Sequence, residues 1–387
     1  MNTALIGFLI RQKRIEKGWS QEGLCRSICA VSYLSKIEQG KADASRELLQ
    51  LLFCRLGVRW VDDEKTLTEV SAIIDRAYDA IFADENKEIG QIQQQLTEIC
   101  DRCENGPFQL DARLLQCWLF QQTDAALEEY VPIFSLRQRT LWMILNDKVE
   151  ELLQINPIAF SYLMAGQTEY YDGRYPSAME YLQHAYDLAA REGLIGVMLH
   201  SRLLLGNCYS NLLDYERMAE HYRVAQRLAN ATDNKEALQD IAYNFAATGL
   251  EVGHTAEAYD YFSRLEEPSA LMLHKLAVCC ERLGKTEEAL AALHKAETAP
   301  QEYPKKELVQ RLCGLVQYRL EHADYLRHAE YGTELLACFE QMRRELPSGY
   351  AGFHLPWVIE WYKASRQYKQ AFELLLNFPA YGRFIQV

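Results

Sequence analysis

Apolar positions recur at three- and four-residue intervals along most of this chain, the spacing of one helix face after another. Residues 4–17 carry Ile6, Leu9 and Ile10 inward, with Arg11, Lys13, Arg14 and Lys17 outward. Ser20 is an N-cap, Gln21 and Glu22 sit in the first turn that follows, and Leu24 and Ile28 share one face of a short helix. Ser32 is expected to cap the next helix, with Leu34 and Ile37 inside and Ser32, Tyr33, Ser35 and Lys36 outside. Gly40 ends it, and Ser45 caps a fourth helix whose apolar face is Leu48, Leu49, Leu52 and Leu56. The order over residues 20–40 is that of a helix-turn-helix, whose second helix can enter the DNA major groove.

Residues 62–83 hold a single stripe, Leu67, Val70, Ile74, Ala77, Tyr78 and Ile81, and are predicted to form a connecting helix. Further helical pairs follow over 86–157, broken at Gly106-Pro107, Pro132 and Pro157. From about residue 160 the chain repeats itself. Gly206, Tyr209, Tyr215, Met218, Tyr222 and Ala225 share their spacing with Gly166, Glu169, Tyr175, Ala178, Leu182 and Ala185. The same intervals recur from Ala246, Ala277 and Ile359. Small residues at close helix crossings, with large ones filling the flanks, would produce this alternation. Gly173, Gly253 and Gly284 are placed at the turns within hairpins. The pattern resembles the tetratricopeptide repeat, although Ala178, Met218, Ala258 and Ala289 are separated by 40, 40 and 31 residues rather than the usual period of about 34. The unit around Ala329 is expected to be degenerate. The predicted fold class is all-α: a helix-turn-helix domain followed by a right-handed superhelix of helical hairpins.

Charge divides the chain. Residues 1–60 contain 10 Lys/Arg against 5 Asp/Glu, whereas the whole chain of 387 residues carries 41 against 54. A basic head on an acidic body points to a polyanionic partner for the head alone, bound through salt-dependent phosphate contacts. The N-terminal apolar run precedes its basic residues, the reverse of a signal peptide, and no apolar stretch reaches the ~18 residues of a membrane span, so a cytoplasmic protein with no membrane partner is expected. Of eleven cysteines, Cys54, Cys208, Cys279 and Cys313 fall at apolar helical positions and are expected to be buried thiols. Cys100 and Cys103 form a lone CxxC without further ligands nearby, so no metal is expected. Cys25 and Cys29 are the alternative candidates for redox chemistry. No phosphate-cradling glycine loop, metalloprotease motif or nucleophile with an evident base occurs, so neither an enzyme nor a cofactor is expected.

First helices of repeat hairpins line a concave wall. That rule nominates Gln167, Tyr170 and Tyr171, then His200, Asn207 and Asn211, then Tyr243 and Asn244, and finally His274, Glu281 and Arg282. Amides both donate and accept, which suits an extended peptide backbone, and tyrosines add contact area with a polar tip. For each Tyr or His, ordinary packing between helices is the alternative.

The run Gly-Trp-Ser-Gln-Glu-x-Leu at 18–24, with Ser-x-x-Ser-Lys-Ile-Glu-x-Gly at 32–40, resembles the phage-repressor (Xre/Cro) class of helix-turn-helix. Joined to the repeats, it resembles the RRNPP family of peptide-responsive regulators, the PlcR, PrgX, NprR and Rgg-like proteins. The resemblance implies that Gln21 meets DNA backbone, that Ser32, Tyr33 and Lys36 reach base edges, and that Arg14 and Lys41 contact flanking phosphates. Val31 departs from the usual polar residue, and Glu38 is expected to satisfy nearby backbone. The resemblance further implies a homodimer on a two-fold symmetric double-stranded operator, with a short signalling peptide in the concave wall gripped by Asn207, Asn211 or Asn244. Domains are expected at 1–60 (DNA binding), 61–84 (connector) and 85–387 (peptide binding and dimerisation). Two other readings stay open: a scaffold controlled by an antirepressor or other protein, and a repeat-type phosphatase.

Overall fold

A computed structural model of the chain describes residues 3–60, 63–103, 105–376 and 378, without the side chains of 99–102 and 348. Among the described residues all regular structure is helical. The head is built from α1 (Thr3–Glu16), α2 (Gln21–Cys25), α3 (Val31–Glu38) and α4 (Arg46–Leu56). Its core is Leu5, Ile6, Leu9 and Ile10 closed against Leu24, Leu34, Ile37, Leu49 and Leu52. Ser20 and Ser45 cap as expected, accepting from the amides of Gly23 and Leu48. Two expectations fail. Ser32 is not a cap: α3 begins two residues earlier, at Val31 behind Ala30, which offers no side-chain oxygen, so Ser32 lies in the first turn. Helix α2 stops at Cys25, Ser27 turns the chain at a φ of 62°, and Arg55 donates to the carbonyls of Leu24 and Arg26 at 2.9 and 2.5 Å. An arginine from α4 thereby satisfies carbonyls that the end of α2 leaves open.

Helix α1 crosses α3 at Gly7, where an added Cβ would lie 2.1 Å from the Ile37 carbonyl oxygen. No residue other than glycine fits that crossing. Helix α5 (Glu64–Phe82) follows, with Val70, Ile74, Ala77, Tyr78 and Ile81 buried, then α6 (Asn86–Cys103), α7 (Gln109–Phe120), a 3-10 segment Ala125–Ile133, α8 (Leu136–Leu145) and α9 (Val149–Ile155). The 3-10 segment touches the head: Tyr130 packs on Phe8 with centroids 4.9 Å apart and donates to Gln12 at 3.1 Å. Residues Met1–Met164 form one compact unit and Ala165–Val387 another.

The second unit is a run of hairpins. Helix α10 (Ala159–Tyr171), whose first residues belong to the first unit, leads to α11 (Tyr175–Glu192). Then come α12 (Ile195–Asn211) with α13 (Tyr215–Ala231), α14 (Lys235–Val252) with α15 (Thr255–Ser263), and α16 (Ala270–Arg282) with α17 (Thr286–Thr298). Last are α18 (Lys306–Glu321) with α19 (Ala329–Glu345) and α20 (Ser348–Ala364) with α21 (Tyr368–Leu376). The small-large rule has a direct cause. A Cβ on Gly206 would lie 2.2 Å from the Tyr222 ring, and one on Gly166 would lie 2.6 Å from Leu182, so each pair is a helix crossing held at backbone distance. The unit expected to be degenerate is a full hairpin, α18–α19, lengthened by a 3-10 turn at Tyr325–Arg327. Its close crossing is Gly332 on Trp361, which lies outside the repeated intervals.

Candidate nucleic-acid interface and ligand cavity

Helix α3 exposes Val31, Ser32 and Lys36, with Lys41 exposed just beyond its end. Tyr33 is half-buried, and its phenol donates to the Asp43 carbonyl at 2.6 Å, which fixes the ring beside the exposed face. Arg14 and Gln21 are committed inside the head. Arg14 Nε and Nη2 donate to the two Glu38 carboxylate oxygens at 2.6 and 2.9 Å, and Nη1 donates to the Trp19 carbonyl at 2.8 Å. Gln21 donates to the same carboxylate at 2.8 Å. Glu38 thus serves two side chains rather than the backbone, and its hydrogen bond raises the Arg14 guanidinium above its usual range. Side-chain exposures of 12% and 3% make Arg14–Glu38 a brace between α1 and α3. Phosphate contact by Arg14 would require leaving it.

Within the second unit, first helices converge on a cavity of about 310 Å³. Seven of the residues expected on the wall line it: Tyr170 and Tyr171, Asn207 and Asn211, Tyr243 and Asn244, and His274. Gln167, His200, Glu281 and Arg282 do not. Glu281 is drawn away by Arg319, whose Nε and Nη2 donate to it at 2.6 and 2.7 Å, an arginine that is almost fully enclosed. The amides are linked to one another. Asn207 Oδ1 accepts from the Tyr222 phenol at 2.5 Å and from Asn244 Nδ2 at 3.3 Å, and Asn211 Nδ2 donates to the Tyr170 phenol at 3.3 Å. Burial raises the Tyr170, Tyr222 and Tyr243 phenols well above their ordinary range, so all three are neutral donors. A second cavity of about 260 Å³ shares Tyr170, Tyr171, Asn211 and Pro347 with the first.

Sequence reasoning missed the other side of this cavity. Helix α20 returns to pack on α12, four hairpins back along the chain. Gly349 presses on the Asn211 amide oxygen, where a Cβ would come within 2.5 Å. Phe353 lies under the Lys275 ammonium at 3.6 Å, and His354 stacks on His274 with centroids 5.4 Å apart. The signal was present: Tyr350, Phe353, His354 and Trp357 form an i, i+3, i+4, i+7 stripe on one helix. Lys275 and Glu251 were missed because they fall between the nominated wall positions.

Residues 10–62 match the family described as helix-turn-helix. The head is a DNA-binding helix-turn-helix domain. No curated protein sequence matches the chain. Among solved structures, that of Bacillus thuringiensis PlcR in complex with the peptide PapR7 and DNA is similar at 15% identity, over 74% of this chain and 98% of that one, with a TM-score of 0.31.

The cysteines around the helix-turn-helix are not arranged for reactivity. Cys25 is buried, and Cys29 is pushed up by burial and then by Cys25, which disfavours the thiolate. Cys54, expected to be buried, is exposed, because α4 turns Phe53 and Leu52 inward instead. The Cys100 side chain lies outside the described residues, and no group of metal-ligating side chains occurs among those described. Among them, no helix is long and apolar enough to cross a membrane.

Proposed function

We propose that this protein is a sequence-specific transcriptional regulator whose repeat hairpins bind a short signalling peptide and thereby control operator binding by a homodimer. The observation that carries the reading is the cavity: neutral phenols and partly satisfied amides surround a volume at the low end for small ligands, contiguous with a second cavity. Asn207 keeps its amide Nδ2 available after its oxygen is used twice, which suits a peptide carbonyl. In this reading residues 1–60 bind DNA, with Ser32, Tyr33 and Lys36 at base edges and Lys41 at the backbone, while Arg14 and Gln21 hold Glu38 and position α3. Residues 61–84 connect, and 85–387 sense the peptide and dimerise. A ligand shifts such a switch only through different affinities for its two states.

The test is operator selection from random duplexes with the full chain, followed by binding to the selected site with and without pooled synthetic hexapeptides. A two-fold symmetric site whose affinity changes with a peptide from the pool supports the reading. An asymmetric site, or one bound equally in every peptide pool, refutes it.

A further inference from the structure

The cavity floor holds charged and polar groups that the proposed role of the asparagines does not use. Lys275 on α16 is only 7% exposed; its ammonium lies 3.6 Å over the Phe353 ring and feels the Glu251 carboxylate, with no direct hydrogen bond or close ion pair between them. Glu251 on α14 lines the same cavity and is the carboxylate that Lys275 and Arg282 act on, without a direct hydrogen bond to either. On α20, His354 Nδ1 donates to the Tyr350 carbonyl at 3.0 Å, which leaves Nε2 as an acceptor with no partner. His274 Nδ1 is also unpartnered.

The neighbouring cations are committed. Arg282 Nη1 donates to the Leu250 carbonyl, and Arg319 is held bidentate by Glu281. Lys275, Arg282 and Arg319 stand against Glu281 and Glu251, so one positive charge is in excess even with Glu251 ionised. An enclosed ammonium without a directly bonded anion is costly, and an enclosed acceptor without a donor costs as well. A group that brings an anion to Lys275 and an N–H to His354 cures both.

We infer that the cavity floor is a carboxylate subsite, with Lys275 holding the anion and His354 Nε2 accepting an adjacent N–H, an inference that rests on the peptide-receptor reading above. The chemistry is that of a peptide's free carboxyl end or of an acidic side chain in a peptide. Burial keeps both imidazoles neutral, the His354 ring being lowered to about 3, so His354 remains an acceptor; burial also lowers the Lys275 ammonium, to about 8 against the pull of Glu251, so at neutral pH it is still charged and is the anion's partner. Burial raises the Glu251 carboxyl against the pull of Lys275 and Arg282, which reduces its competition for the ammonium.

The experiment uses the full chain and three hexapeptide pools: free carboxyl ends without Asp or Glu, the same as carboxamides, and carboxamides with one Asp or Glu. Binders are recovered by affinity selection and their Kd values measured by calorimetry. The expected result is binders from the free-acid pool that weaken at least tenfold on amidation. Binders from the third pool that weaken tenfold when Asp or Glu becomes Asn or Gln place the same subsite on a side-chain carboxylate. In either case Lys275→Met lowers the acid form to the affinity of the amide form, and Glu251→Gln, which removes a repelling carboxylate, tightens it. The acid–amide comparison on the unaltered protein stands even if Lys275→Met does not fold. Acid and amide forms of equal Kd overturn the subsite and leave the peptide reading intact, as does a binder indifferent to a folded Lys275→Met. No binder from any pool overturns both.

Discussion

Gly206→Ala tests the link between packing and recognition in the repeats. The added methyl would lie 2.2 Å from Tyr222 Cε1, far inside van der Waals contact. Tyr222 is fully buried, its ring meets Phe245 edge-on at 5.4 Å, and its phenol is held by Asn207, so it has nowhere to go. Replacing a helical glycine with alanine contributes about 1 kcal/mol of stability on its own. Overpacking costs about 1–3 kcal/mol. Loss of the Tyr222–Asn207 hydrogen bond costs about 0.5–1.5 kcal/mol more. The net is a destabilisation of about 2 kcal/mol, which for a unit of this size lowers its melting midpoint by about 4–8 °C. The assay is calorimetric melting of the full chain, following the transition of the 165–387 unit. A double variant supplies the control. At the equivalent positions the hairpin α16–α17 carries Ala277 and Leu293, so Gly206→Ala with Tyr222→Leu recreates a pairing the chain already uses. That double variant should be more stable than the two single changes imply by about 1–2 kcal/mol. A Gly206→Ala protein that melts at or above the parent, or a double variant whose effects simply add, would show that this crossing does not hold the hairpin.

Other consequences are as direct. Gly7→Ala sets a methyl against the Ile37 carbonyl, which is backbone and cannot rotate away, so operator binding should be lost while Gly90→Ala, with open space around its Cβ, retains it; this is read by DNA retention at fixed protein concentration. Arg14→Met leaves the enclosed Glu38 carboxylate without its cation and with only the Gln21 amide as partner, an expected loss of about 3 kcal/mol of head stability by chemical denaturation. Lys41→Ala should leave melting unchanged and reduce the salt slope of DNA binding by about one, as for one lost phosphate contact. His221 is lowered from 6.5 to about 4 by burial and then by Arg202, so folding favours the neutral ring. Its contribution is intact above pH 6.5 and is lost as pH falls toward 4; because the ring is partly exposed, solvent screening cuts the effect, and His221→Phe should flatten that acid limb by on the order of 1–2 kcal/mol in denaturation curves taken across the range.

Much of this was legible because helical spacing and caps are local. Ser20, Ser45 and the inward Ile6, Leu9 and Ile10 needed only neighbours three or four residues away, and Gly173, Gly253 and Gly284 sit at positive φ in the turns, as placed. Ser32 misled because capping propensity does not say where the preceding turn ends, and Ser27, not a glycine, made that turn. The Leu213 and Arg366 turns, also at positive φ without glycine, carry no sequence signal of that kind. Contacts distant in sequence were the real loss. Arg14 looked like an outward cation because Glu38, its partner, lies 24 residues on. Helix α20 looked like one more repeat helix, and nothing local says that Gly349 will meet Asn211.

Those distant contacts tie structure to recognition more closely than a list of wall residues suggests. Gly206 admits Tyr222 at the crossing of α12 and α13, Tyr222 fixes the Asn207 oxygen, and Asn207 in turn fixes Asn244 on the next first helix. Side chains held in this way lose little further freedom on binding, where a mobile one loses about 0.5–1.5 kcal/mol. Across the cavity, Gly349, Phe353 and His354 on α20 close over the wall. Helix α20 is itself anchored, with Phe353, Leu355 and Val358 buried in the core of the unit, so both walls of the cavity are preformed. In the peptide-receptor reading the amides would grip the peptide backbone while Lys275 and His354 select its carboxylate, and a ligand changes the unit only as far as it favours one arrangement of these walls over another.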